Sequence, residues 1–106
     1  MATKPKFSLT LAPTFKARVN IPIPGADAIP VEFTFKGRTR EAFKDFIDNL
    51  KNREDVDLIM EMCSGWELED AFDKDNIAEL SLNYLGAPTA ILDKYLSEMN
   101  KARLGN

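Results

Sequence analysis

The fold depends most on residues 15–36, FKARVNIPIPGADAIPVEFTFK, because apolar and polar residues alternate at both ends of this segment. In residues 15–23 and again in residues 31–36, every second side chain is apolar, and the side chains between them are mostly polar or charged. A period of two places the apolar side chains on one face of a β-sheet and the others in water. We therefore predict that the two runs pair as an antiparallel hairpin.

The connection between the two runs is predicted to be irregular. Residues 22–30 contain three prolines, and proline has no backbone N–H to donate to a sheet. The segment is also too long for a tight turn, so we expect a stiff, partly extended loop. A shorter alternation of Phe7, Leu9 and Leu11 precedes the hairpin. The strands are therefore predicted to lie within about residues 7–36.

From about residue 39 to about residue 104, the apolar residues follow helical spacing. Thr39 is a suitable N-cap for a first helix, in which Phe43, Phe46 and Ile47 share one face and are predicted to be core residues. Three more helices are predicted from the same spacing. Their apolar faces contain, in chain order, Val56, Ile59, Met60 and Cys63, then Ile77, Leu80 and Tyr84, then Ile91, Leu92, Tyr95, Leu96 and Met99.

Helix-ending and helix-starting residues separate these predicted helices. Ser64 and Gly65 end the second helical pattern, and residues 66–72 are predicted to be a linker. Asp73 is a suitable N-cap for the third helix. Pro88 fits the first turn of the fourth helix, where a backbone N–H is not needed.

The fold class follows from this order of elements. A chain of 106 residues fits one domain, and a sheet of two or three strands is too small to be stable without helices against its apolar face. We predict a single α+β domain over residues 1–106, in which a small antiparallel hairpin sheet of two or three strands packs on about four α-helices.

Charge and composition exclude several classes of partner. The net charge is −3 and the two signs are mixed along the chain, so the sequence has no basic field for nucleic acid or anionic lipid. The single cysteine excludes a disulfide framework. No run reaches the roughly 20 apolar residues of a membrane span, and the first residues lack the apolar stretch of a signal peptide. We predict a cytoplasmic protein that binds neither nucleic acid nor membrane.

The sequence also lacks the usual residues of a catalytic or metal site. Histidine is absent, which removes the commonest general base and metal ligand. Acidic residues are densest between Glu67 and Glu79, but a calcium-binding loop starting at Asp73 would have Ile77 and Ala78 where a ligand and a glycine are required. We predict no catalytic residues, no metal and no cofactor, and therefore a protein that is not an enzyme.

Cys63 and Trp66 are two further candidates for a special role. Cys63 has apolar neighbours and lies near the end of a helical pattern, so we predict a buried core thiol and not a reactive one. Trp66 has two interpretations. It either fills the joint between the two pairs of helices or presents an anchor to a partner protein.

Several of these segments together carry a family resemblance. The most distinctive is Ser64–Asp70, where a glycine and a tryptophan precede a run of alternating hydrophobic and acidic residues. The others are residues 15–19, residues 31–36 with the Phe43 and Phe46 helix, residues 76–80, and a closing helix around Ile91, Tyr95, Leu96, Ala102 and Arg103. Over most of its length, the chain resembles the small phage tail assembly chaperones of long-tailed phages and prophages.

The resemblance implies a protein that binds the tape measure protein, a long hydrophobic helical chain, and keeps it soluble until the tail tube polymerises around it. It also implies self-association along this client, action in the host cytoplasm and absence from the mature virion. Many members have a longer, frameshifted form that recruits tail tube protein, and the sequence leaves open whether this chain has one. The alternative is a minor structural tail protein that stays in the virion.

A protein that holds a helical client needs adaptable apolar surface. Methionines and the exposed side or unpaired edge of a small sheet are suitable sources of such surface. The same residues fit core positions equally well. The predicted partner-binding residues are Trp66, Met60, Met62, Met99, Val19 and Ile21.

Overall fold

The computed structural model describes residues 3–101, which form an antiparallel sheet of three strands packed against helices. The predicted α+β class is confirmed. A short 3₁₀ turn at Leu50–Asn52 follows the first helix. In chain order, the elements are β1 (Thr14–Ile23), β2 (Ala26–Lys36), α1 (Arg40–Asp48), α2 (Asp55–Met62), β3 (Cys63–Trp66), α3 (Lys74–Asn83) and α4 (Ala87–Asn100).

The hairpin of β1 and β2 forms as predicted. Phe15 pairs with Phe35 and Val19 pairs with Val31, so the alternating apolar residues of both strands lie on one face. This face is buried against the helices, while Lys16 and the other intervening residues of β1 are exposed. Burial of one face fixes the register, because a shift by one residue would turn every apolar side chain to water.

The predicted loop at residues 22–30 is wrong. Ile23 pairs with Ala26, so the connection is a two-residue turn of Pro24 and Gly25, and β2 already begins at Ala26. Gly25 has a φ of 75°, which glycine adopts without strain, and proline followed by glycine is common at the two central positions of a type II turn. The pairing shifts register between Ile21 and Ile23, which accommodates the proline between them.

The third strand also differs from prediction. Phe7, Leu9 and Leu11 are not in a strand, and all three side chains are exposed. The sheet is instead completed by β3, in a segment that was predicted as the end of a helix and the start of a linker. Trp66 of β3 pairs with Phe33 at the centre of β2.

The helices begin at the residues that the sequence indicated. Thr39 accepts a hydrogen bond from the Ala42 backbone N–H at 3.3 Å, and Asp73 accepts one from Asn76 at 2.9 Å. Pro88 lies in the first turn of α4. The predicted helical residues 102–104, including the Ala102 and Arg103 of the family resemblance, lie outside the described residues.

The core is centred on Tyr95 of α4. Its ring stacks on Phe35 with the ring centres 5.5 Å apart, and it meets Phe46 edge-on at 5.4 Å. The Tyr95 hydroxyl donates a hydrogen bond to the Lys36 carbonyl oxygen at 2.9 Å and accepts one from the Arg38 guanidinium at 2.9 Å. Tyr95 therefore connects α4 to α1 and to the end of β2.

The three predicted core residues of α1 differ in how deeply they are buried. Phe46 is buried, as predicted, and Phe43 packs partly buried against the core. The prediction for Ile47 is wrong, because its side chain is 37% exposed at the edge of the helix face. Phe46 is the one fully buried side chain among the nine residues of α1, because the helix contacts the core along a narrow line.

Cys63 is buried at the start of β3, which confirms the predicted core thiol. Burial raises the pKa of the Cys63 thiol to about 12, although the charge of Lys36 acts in the opposite direction. The thiolate is the reactive form of cysteine, so the folded protein keeps this thiol unreactive at neutral pH.

The raised pKa of Cys63 predicts a loss of stability in alkali. The unfolded thiol deprotonates near pH 8.5, whereas the folded thiol keeps its proton to about pH 12. The contribution of this difference to folding stability is therefore complete below pH 8.5 and declines above it. We expect the free energy of unfolding to fall by about 1–2 kcal/mol between pH 8 and pH 10. Urea denaturation of wild type and Cys63→Ala at both pH values measures this, and equal losses in the two proteins would contradict the prediction.

Candidate partner-binding surfaces

The structure places the six predicted partner-binding residues at different depths. Val19, Ile21 and Met62 are buried in the core, so they offer a partner almost no accessible surface in this conformation. The other three, Met60, Met99 and Trp66, are partly buried at the edge of the core. The six residues do not form one continuous patch.

Trp66 is held in place from three sides. Its ring meets Phe33 edge-on at 6.0 Å and Phe72 edge-on at 5.1 Å. Its indole N–H donates a hydrogen bond to the Asp70 carbonyl oxygen at 2.7 Å. These contacts fix the segment between β3 and α3 against the sheet, so the ring has a structural role there. Its role as a partner anchor stays a prediction.

An open apolar groove lies between the turn end of the hairpin and the end of α3. We call it the hairpin groove, and its volume is about 180 Å³. None of the lining residues, all of which belong to the described part of the chain, carries a charge. They are Ile21, Ile23, Ile29, Val31, Phe33, Leu68, Leu80 and Tyr84.

The rim of the hairpin groove is accessible to a partner. Ile29 is 54% exposed, and Leu68 and Tyr84 are also exposed on the two sides of the groove. Sequence reasoning missed Ile29 because it lay in the predicted loop. The signal was present, since Ile29 lies two residues before Val31 and continues its period-two alternation. The structure places both residues in β2.

A second groove lies between α1 and the end of α4. This helix groove has a volume of about 500 Å³, and its lining combines apolar and cationic side chains. Arg38 in this lining is held by the Tyr95 hydroxyl and by the Phe46 ring, whose centre is 4.9 Å from the guanidinium carbon. The lining residues are Arg38, Thr39, Arg40, Phe43, Lys44, Ile47, Met99 and Asn100.

Comparison with known families identifies the kind of protein that carries these grooves. A family model described as phage tail assembly chaperone matches residues 1–106. The chain belongs to this family. No curated protein and no solved structure matched the chain.

The outer edge of β1 is a further exposed feature of this tail assembly chaperone. β1 is the first strand in the order β1-β2-β3, so among the described residues it pairs on one side alone. The edge carries Lys16 and Arg18, which are exposed, and charged residues on an edge oppose pairing with a further strand. The two grooves are therefore the better candidates for partner binding by the chaperone.

Among residues 3–101, no group of three or more histidine, cysteine, aspartate or glutamate side chains is placed to hold a metal ion. In the same part of the chain, no helix is both long and apolar enough to cross a membrane.

Proposed function

We propose that this tail assembly chaperone binds the tape measure protein and keeps it soluble and competent for assembly while the tail tube polymerises. The proposal rests on the membership of the chain in the family. The observation that supports a binding site for the client is the hairpin groove. An apolar groove with exposed walls is the usual receptor for the apolar face of an amphipathic helix. A helical client would place side chains between Ile29 and Tyr84.

The chemistry of the hairpin groove supports contact and not catalysis. Its lining is hydrocarbon and aromatic, so the driving force for binding is removal of apolar surface from water. Such binding changes no covalent bond and needs no cofactor or metal. We propose that the protein acts without enzymatic activity.

The same proposal covers location and further partners. The chaperone would act in the cytoplasm of the host cell and be absent from the mature virion. It would bind its own copies along the client, and a longer frameshifted form would recruit the tail tube protein. No nucleic acid or membrane takes part.

Co-expression with the tape measure protein of the same genome tests client binding. We expect the two proteins to purify together at low salt and at 1 M salt. Salt at 1 M screens interactions between charges that are more than about 3 Å apart, but it does not weaken apolar contact. Ile29→Asp places a carboxylate in the groove and should lower the recovered client at least about tenfold. The matched control is Leu9→Asp, since Leu9 is 94% exposed and is not among the groove residues.

Two results would overturn the proposal. One is soluble, assembly-competent tape measure protein in the absence of this chain, which would leave the chaperone without a task. The other is detection of the chain at structural copy number in washed, mature virions. That result would favour the alternative, a minor structural tail protein.

A further inference from the structure

A further groove adjoins the hairpin groove, and it carries negative charge. We call it the acidic trough, and its volume is about 380 Å³. Asp70 and Glu79 are the two acidic residues among the eight that line it, and none of the eight, all in the described part of the chain, is basic. The lining residues are Trp66, Leu68, Asp70, Asn76, Glu79, Leu80, Asn83 and Tyr84.

The acidic trough and the hairpin groove share one wall. Leu68, Leu80 and Tyr84 line both of them. Side chains three or four residues apart on a helix lie about 5–6 Å from each other. Leu80 has this spacing to Tyr84 on the shared wall and to Asn76 and Asn83 in the trough. The uncharged surface of the hairpin groove therefore continues directly into the acidic trough, and one helix can contact both.

The other side of the acidic trough is formed by residues 66–70, in the segment that carries the family resemblance most distinctively. Trp66, Leu68 and Asp70 line the trough, whereas Glu67 and Glu69 do not. In an extended segment, alternate side chains point to the same side, so the alternation of this sequence places an aromatic, an aliphatic and an acidic residue on one surface. The fold described above leaves this pattern unexplained, and the trough gives it a use.

Hydrogen bonds hold the two acidic residues of the trough in position. The Trp66 indole N–H donates to the Asp70 carbonyl oxygen at 2.7 Å, and the Asn83 side-chain amide donates to the Glu79 carboxylate at 3.1 Å. Among residues 3–101, neither carboxylate forms a salt bridge with a lysine or arginine. Negative charge that is held in place and has no internal cation attracts a cation from a partner.

The other side chains of the trough determine which kind of cation fits. An aromatic ring such as Trp66 or Tyr84 attracts a lysine ammonium or an arginine guanidinium within about 6 Å of its centre. The aliphatic stem of lysine or arginine also packs on apolar surface, here Leu68 and Leu80, while its charged end reaches a carboxylate. The trough therefore suits a lysine or arginine side chain better than a bare metal ion, which has no stem.

We propose that the acidic trough binds a lysine or arginine of the client helix, beside the hydrophobic side chains that enter the hairpin groove. This inference rests on the proposed function and adds the class of client segment. The segment is an amphipathic helix with a basic residue three or four positions, about one turn, from its apolar residues. A segment with an acidic residue in that place is rejected, because like charges then face each other.

Peptides from the tape measure protein of the same genome test this client class. Overlapping labelled peptides of about 20 residues, about 30 Å long as helices, are titrated with the full chain, and fluorescence anisotropy measures their affinity. The tightest-binding peptides should have lysine or arginine three or four positions from a large hydrophobic residue. Replacing that basic residue by glutamine should weaken binding at least about fivefold at low salt. At 1 M salt the two peptides should bind alike, because the charges are screened.

Variants of the chain test whether the trough binds that basic residue. Asp70→Asn with Glu79→Gln removes both charges but keeps the shapes, and should weaken binding of the original peptide by the same factor as the glutamine replacement. Combining the two changes should add no further loss, because both remove one interaction. The matched control is Glu69→Gln with Asp75→Asn, the same charge change at exposed residues outside the trough lining, which should bind as wild type does. Circular dichroism melting checks that each variant is folded.

The outcomes separate this inference from the proposed function. If Ile29→Asp abolishes peptide binding but the trough variant binds as wild type does, the inference is wrong and the hairpin groove stands. Equal losses for the trough variant and its control would also overturn the inference, since net charge alone would then govern binding. If the trough variant loses affinity and Ile29→Asp does not, the trough stands and the hairpin groove is wrong. Failure of every peptide to bind would overturn the inference, and co-expression would decide the proposed function separately.

Discussion

Tyr95→Ala is expected to lower the free energy of unfolding by about 3–5 kcal/mol, a large share of the about 5–15 kcal/mol of a small domain. The Tyr95 ring is fully buried and has four aromatic neighbours. Their ring centres lie 5.4 Å away for Phe46, 5.5 Å for Phe35, 6.1 Å for Phe43 and 6.2 Å for Phe15. These rings come from β1, β2 and α1, so they cannot all move into the cavity that alanine would leave.

The hydroxyl of Tyr95 adds a second contribution. Tyr95→Phe keeps the ring but leaves the Lys36 carbonyl oxygen and the Arg38 guanidinium without this partner, and we expect a cost of about 1–3 kcal/mol. Tyr84→Ala is the matched control, because Tyr84 is 36% exposed, and its expected cost is about 1 kcal/mol. Urea denaturation of the three variants measures these values. Equal losses for Tyr95→Ala and Tyr84→Ala would contradict the assignment of Tyr95 to the centre of the core.

The hairpin could be predicted from sequence because its signal is local. The pairing of Val19 with Val31 follows from alternation within each strand and from the short distance between the strands along the chain. The turn was missed for a reason that is also local. Prolines were interpreted as breaking the strands, whereas Pro24 with Gly25 makes a tight turn and Pro30 lies where β3 does not pair with β2.

β3 could not be predicted in the same way, because it depends on a distant partner. Cys63–Trp66 has four residues and little alternation. It is a strand because β2 offers a free edge, where the Glu67 backbone N–H donates to the Glu32 carbonyl oxygen at 3.0 Å. Residues 7–11 show the converse case. They alternate, but the described sheet gives them no partner strand, and alternation alone does not make a strand.

The candidate surfaces were less predictable than the fold. Each groove is built from elements far apart in sequence: the hairpin groove by Ile29 and Tyr84, and the helix groove by Phe43 and Met99. No single window of sequence contains both sides of either groove. Periodicity identifies apolar residues, but it does not separate those that fill the core from those that border an opening. Met99 was proposed for partner binding and lines the helix groove, whereas Met62 was proposed on the same grounds and is buried.

The same limit explains the two neighbours Phe46 and Ile47, and a stability measurement can test their difference. Phe46→Ala is expected to cost about 3–5 kcal/mol, because the ring is buried between Tyr95 and the guanidinium of Arg38. Ile47→Ala should cost about 1 kcal/mol, because 37% of that side chain is already exposed where it lines the helix groove.

Lys44→Ala serves as the control for α1 itself. Lys44 is exposed and makes one pair with Asp48, so its removal should cost about 0.5 kcal/mol or less. Urea denaturation of the three variants gives the comparison directly, provided that the slope of the unfolding free energy against urea concentration is unchanged. A loss for Ile47→Ala equal to that for Phe46→Ala would mean that α1 turns Ile47 into the core. The helix groove would then lose part of its apolar lining.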